Sequence, residues 1–105
     1  MDISKAQEIF EEAREINPEL VLFSEGEINS FGYRYLRVKR YKDAIDIFNL
    51  YKEAYPKSAN AYDSLAEAYM KAGKKKKAIF NYKKSLLLNP KNKNAERMLQ
   101  QLRGN

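Results

Sequence analysis

Apolar and polar positions along this chain repeat with a period of 34 residues. Ile28, Phe31, Gly32, Tyr35, Ala44, Phe48 and Pro56 are answered by Tyr62, Leu65, Ala66, Tyr69, Ala78, Tyr82 and Pro90, with no insertion between the two copies. Each pair keeps its physical character: large apolar, small, aromatic or proline. A fixed period of this length marks stacked helical units rather than a closed globule.

Within one unit the pattern predicts two antiparallel helices. Gly32 and Ala66 are small enough for a second helix to approach closely, and Ala44 and Ala78 play the same part on that second helix. Pro56 and Pro90 cannot continue a helix, because proline has no N–H and clashes with the preceding turn. Ser24, Ser58 and Asn92, again one period apart, are N-cap residues. Glu27, three residues after Ser24, completes a capping box. Gly73 sits at the turn that closes the first helix of the second copy, where a left-handed residue is expected. Its counterpart one period earlier is Lys39. If the two turns share one geometry, Lys39 is held at positive φ.

The flanks are less regular. Ala6, Phe10, Ala13 and Pro18 repeat the spacing of Ala44, Phe48, Tyr51 and Pro56, so residues 2–16 are predicted to form the second helix of an incomplete unit. The junction after Pro18 is four residues longer than the others and carries the apolar run 20–23. At the other end Ala95, Met98, Leu99 and Leu102 follow helical spacing and predict an amphipathic helix over 93–103. Gln100 stands where Gly32 and Ala66 stood, so this last helix reads as a cap with a polar outer side.

These residues resemble the tetratricopeptide repeat family. Ile28, Phe31-Gly32, Tyr35, Ala44, Phe48 and Pro56 stand where that family places Trp, Leu-Gly, Tyr, Ala, Phe and Pro. The resemblance implies one all-α domain over 1–105: antiparallel helix-turn-helix units at 25–58 and 59–92 in a right-handed superhelix, with a half-unit before and a capping helix after. A narrower resemblance lies at the junctions, in residues 23–33 and 59–69. They look like the tail module that follows the serine-hydrolase or esterase domain of certain bacterial proteins. That resemblance implies one module of a longer protein.

Composition narrows the function. No segment approaches the roughly 18 consecutive apolar residues of a membrane span, and the start lacks the features of a signal peptide. A cytoplasmic location is the default expectation. The chain contains no cysteine and no histidine, which removes thiolate chemistry and the commonest general base and metal ligand. The isolated glycines form no phosphate loop. Asp63 and Glu67 are one helical turn apart, yet carboxylates so spaced on a repeat helix are more often an exposed binding surface than an acid–base pair. No catalytic, metal or cofactor site is expected, and the chain is read as non-enzymatic.

Charge is unevenly placed. Residues 1–53 carry eight Lys/Arg against eleven Asp/Glu, whereas 54–105 carry twelve against three, for a net +6. Lys74, Lys75, Lys76 and Lys77 form the densest part, with Lys71, Lys83 and Lys84 nearby. They are a candidate polyanion or nucleic-acid patch. Against that stands the dominance of lysine over arginine, and the absence of a base-stacking motif; a solvated, solubilising face explains the lysines as well.

The resemblance places the functional surface on the concave face formed by successive first helices. It would be lined by Asn29, Tyr33 and Arg37, then Asn60, Asp63 and Glu67, then Arg97 and Gln101. Such grooves hold extended peptides or partner helices. The chaperone-binding subset of the family clamps a C-terminal carboxylate with Lys, Asn and Arg, but Asn29 and Tyr33 occupy the expected Lys and second Asn positions. Recognition of a chaperone tail is therefore not expected. The reading is a protein- or peptide-binding module, monomeric or weakly dimeric, with packing against an attached catalytic domain as one form of that role. Polyanion binding through the lysines and a purely structural or idealised repeat scaffold are the alternatives.

Overall fold

The computed structural model describes residues 23–104 together with Glu8, Glu11, Glu12 and Glu15. Five consecutive helices account for the described continuous stretch: α1 (Glu25–Arg37), α2 (Tyr41–Ala54), α3 (Ala59–Lys71), α4 (Lys75–Leu88) and α5 (Lys93–Gly104). The chain is all-α, a helical repeat in which each helix packs on its neighbours in sequence and α1 also touches α3. Of the helix predicted over 2–16, only the four glutamates are described, all helical and exposed; the rest of it lies outside the described residues, as do residues 20–22 of the apolar junction.

The helices begin where their caps stand. Ser24 Oγ accepts from the Glu27 backbone N–H while Glu27 Oε1 accepts from the Ser24 N–H, closing the capping box at α1. Ser58 Oγ accepts from Ala61 N–H at the start of α3, and Asn92 Oδ1 from Ala95 N–H at the start of α5. Each such cap satisfies one of the N–H groups that a helix terminus leaves without a partner. The second helices end at Ala54 and Leu88, just short of Pro56 and Pro90.

The turns inside the two units share one geometry. Lys39 has φ 63° and Gly73 φ 80°. Around them, Lys39 N–H donates to Leu36 O and Arg40 N–H to Tyr35 O, as Gly73 N–H does to Met70 O and Lys74 N–H to Tyr69 O. This paired pattern is the Schellman motif, built twice, once around glycine and once around lysine.

The small residues matter where helices meet. A Cβ added to Gly32 would lie 2.3–2.7 Å from ring carbons of Phe48, so the ring rests directly on the α1 backbone. In the second unit the matching pair is Ala66 and Tyr82, both essentially inaccessible. One core cluster gathers Ile28, Leu36, Ile47, Phe48, Tyr51 and Leu65; the next gathers Ala66, Ala78, Tyr82, Ala95 and Leu99. Burying each large side chain contributes about 1.5–3 kcal/mol. Among the described residues three polar side chains share this interior: Ser64, Asn81 and Ser85. Ser85 Oγ donates to Ala59 O at 2.8 Å, and no buried polar side-chain atom among the described residues lacks a partner.

Candidate functional site

The first helices α1, α3 and α5 stand side by side, and their facing side chains form one polar seam. Between α1 and α3, Tyr33 Oη donates to Glu67 Oε1 at 2.9 Å and Ser64 Oγ donates to Asn29 Oδ1 at 2.6 Å. Between α3 and α5, Asn94 Nδ2 donates to both carboxylate oxygens of Asp63, at 3.3 and 3.1 Å, and Asn92 Nδ2 adds a longer bond at 3.4 Å. Arg97 then joins through Asn94 Oδ1 at 3.0 Å. Lys71 pairs with the second oxygen of Glu67 at 3.5 Å.

Asn29, Tyr33, Asp63, Glu67 and Arg97 are therefore brought together, with Tyr33 held edge-on against Phe48 at 5.2 Å between ring centres. Arg37 and Gln101 lie one turn beyond Tyr33 and Arg97 and are exposed. Asn60 lies apart. Its Nδ2 donates to Tyr51 Oη, which also accepts from Ser58 Oγ and donates to Glu25 Oε1. That cluster ties the start of α3 to α2 and α1 and does not extend the seam. Ser64 and Asn94 are members of the seam that the sequence reading passed over. Asn94 could have been found as the residue one period after Asn60.

Partial burial sets the electrostatics. Loss of water raises the Asp63 carboxyl above the ordinary aspartate value, with Glu67 adding to the rise and the Asn92 and Asn94 amides opposing it. The Tyr33 phenol is pushed up to about 12, chiefly by burial and further by the neighbouring carboxylates. Both tyrosines of the scaffold core, Tyr51 and Tyr82, are also raised, with burial the largest cause. The middle of the seam is thus anionic and hydrogen-bonded, while Arg37 and Arg97 place cations towards its ends. The pair Asp63 and Glu67 is engaged by Asn92, Asn94, Tyr33 and Lys71, so each carboxylate oxygen accepts from the protein itself.

The lysine patch divides in two. Lys77 Nζ stands 5.5 Å over the Tyr69 ring and Lys84 Nζ 5.9 Å over Tyr62, two cation–π rungs linking α4 to α3. Lys74, Lys75 and Lys76 are exposed with Lys77 at the start of α4, where the helix dipole disfavours cations. A separate apolar hollow of about 650 Å³, lined by Phe23, Ile28, Phe31, Ile47 and Leu50 among others, lies against α1 and α2. Among the described residues no group of His, Cys, Asp or Glu is arranged to hold a metal ion. No helix among them is long and apolar enough to cross a membrane.

Residues 59–92 match the family model of the tetratricopeptide repeat. Among solved structures, the first TPR of Spaghetti (RPAP3) bound to the HSP90 peptide SRMEEVD aligns with a TM-score of 0.72 at 20% identity, over 97% of this chain and 78% of that one. The fold is tetratricopeptide-like. At that level of identity the likeness is one of architecture. No curated protein matches the sequence. In tetratricopeptide terms α1–α2 and α3–α4 are two helix-turn-helix units, and the matched span 59–92 holds the second.

Proposed function

We propose that the chain is a non-catalytic protein-interaction module whose concave seam binds an extended peptide or a partner segment. The observation that carries this reading is the row of polar side chains from Asn29 and Tyr33 through Asp63 and Glu67 to Arg97, displayed on a tetratricopeptide-like fold. The comparison structure holds a peptide, which supports the same use here. The chemistry differs, however: carboxylates occupy the centre of this seam. An acidic tail such as SRMEEVD would meet them, so the seam favours a ligand with amide or cationic groups at its middle and anionic groups only towards Arg37 and Arg97.

Binding of labelled synthetic peptides tests this. A peptide with central lysines should bind, and replacing Tyr33 by phenylalanine, Asp63 by asparagine and Arg97 by glutamine should abolish that binding while circular dichroism shows the fold kept. SRMEEVD should bind worse than the lysine peptide. The reverse order, or binding that survives the triple change but is lost when Lys75, Lys76 and Lys77 become glutamine, would move the site to the lysine patch. The junction resemblance to bacterial hydrolase tail modules supports a setting in a longer chain, which the genomic sequence upstream of Met1 can test.

A further inference from the structure

The two units offer an internal comparison on their outward faces. On α2 the positions Asp43, Asp46, Asn49 and Glu53 are polar, and Lys42 pairs with Asp46 at 3.1 Å. One period later the same scaffold positions on α4 hold Lys77, Phe80, Lys83 and Leu87. Both units fold alike, so the scaffold does not require these changes. Every acidic residue on that face has been replaced, two by large apolar side chains and one by lysine. Phe80 is 68% exposed and Leu87 78% exposed, the opposite of a core role.

Helical geometry aligns them. Lys76, Phe80, Lys83 and Leu87 follow i, i+4, i+7, i+11 spacing, which places them along one stripe. The helix contains five lysines and no carboxylate. Beside the stripe, a hollow of about 320 Å³ opens between α2, α3 and α4, with Leu65, Tyr69 and Phe80 as its apolar walls and Lys52, Lys76 and Lys77 around it. Lys77 is steadied over the Tyr69 ring, so one cation of that rim is held in place.

We propose that this outward face of α4 is a second docking surface, separate from the concave seam, for an acidic amphipathic peptide segment. A bulky apolar side chain of the segment fills the hollow against Tyr69 and Phe80, a second covers Leu87, and its carboxylates meet Lys52, Lys76, Lys77 and Lys83. Charge complementarity selects the acidic partner. The apolar elements select a peptide: a phosphate backbone brings nothing to cover Phe80 and Leu87, and the flat surface of a bilayer cannot enter a recess between helices.

The test uses fluorescence anisotropy with a labelled synthetic helical peptide in which glutamates frame leucine and phenylalanine along one side. A companion peptide of equal charge carries serine in place of the apolar residues. The first should bind and the second should not. Phe80→Asp and Leu87→Glu copy the residues that the first unit carries at these positions, so the fold should be kept, as circular dichroism will show. Together they should weaken the apolar peptide by roughly tenfold or more. Lys76→Gln with Lys83→Gln should weaken it and flatten its salt dependence. Asp63→Ala, in the seam, should leave this binding unchanged while impairing that of the lysine peptide, which separates the two surfaces. Equal binding of both acidic peptides, or of duplex DNA without loss in Phe80→Asp, would reduce the face to a polyanion patch and overturn the proposal. So would preferential capture by phosphatidylserine vesicles, or no binding to any probe.

Discussion

Lys39 is the residue at which this fold carries a measurable strain. A non-glycine residue in the left-handed region brings its Cβ against the following carbonyl, at a cost of roughly 1–2 kcal/mol. The Schellman bonds from Lys39 and Arg40 to Leu36 and Tyr35 hold it there, and the Arg40 guanidinium lies 5.1 Å over the Tyr35 ring across the same turn. Replacing Lys39 by glycine removes the clash but loosens the unfolded chain, which offsets about 0.5–1 kcal/mol of the gain. The expected net effect is a stabilisation of up to about 1 kcal/mol, or neutrality.

Gly73 supplies the reciprocal experiment. A Cβ there would meet nothing within 4 Å, so Gly73→Lys isolates the backbone penalty from packing. It should destabilise by a similar amount, on the order of 1 kcal/mol, which in a domain of this size is roughly 4–8 °C in Tm. Urea unfolding followed by circular dichroism reads both variants, with an unchanged m-value showing that the comparison is like for like. Exchanging the two residues in one chain should return stability close to the starting value. Marked loss of stability in Lys39→Gly would refute the reasoning, because it would mean that the lysine side chain contributes more than its backbone strain removes.

Three further outcomes are expected. Gly32→Ala should destabilise by about 1–3 kcal/mol by forcing the Phe48 ring off the α1 backbone, and Phe48→Leu in the same chain should recover part of the loss on urea unfolding. Asp63→Asn should be neutral to stabilising at neutral pH: burial raises the folded-state pKa, so ionised Asp63 disfavours the fold above that pKa and the penalty is relieved as pH falls through it. The variant should accordingly show a flatter stability profile just above pH ~4. Alkali should unfold the protein from about pH 10 upward, since Tyr33 stays neutral in the fold until about 12 while the unfolded phenol ionises near 10.0. Tyr33→Phe should blunt that loss in thermal melts.

The periodic features could be read from the sequence because they report packing that any chain of this fold must satisfy. Gly32 beneath Phe48, Ala66 with Tyr82, the three caps and the left-handed Lys39 all follow from register alone. Hydrogen-bond partners across the seam do not, because side-chain length decides them. Tyr51 is long enough for its hydroxyl to reach Asn60, and so withdraws that amide from the seam. Its counterpart one period later is Ser85, whose short hydroxyl instead donates to Ala59 O and accepts from Asn92. Asn94, the counterpart of Asn60, therefore turns to Asp63. Two residues related by the same 34-residue translation have different partners because of a difference at a third. The outward face of α4 is illegible in the sequence for another reason: its lysines read as a charge run, and Phe80 and Leu87 stand out only beside Asp46 and Glu53.

Each described helix leans chiefly on the next, like books along a shelf. Opening at one end need not disturb the other, and amide exchange should fall into separate blocks along the row. A ligand laid across α1, α3 and α5 would touch helices that otherwise meet mainly through their neighbours. It would act as a splint: binding at Arg97 would slow exchange as far away as α1, with no change in the shape of any single helix.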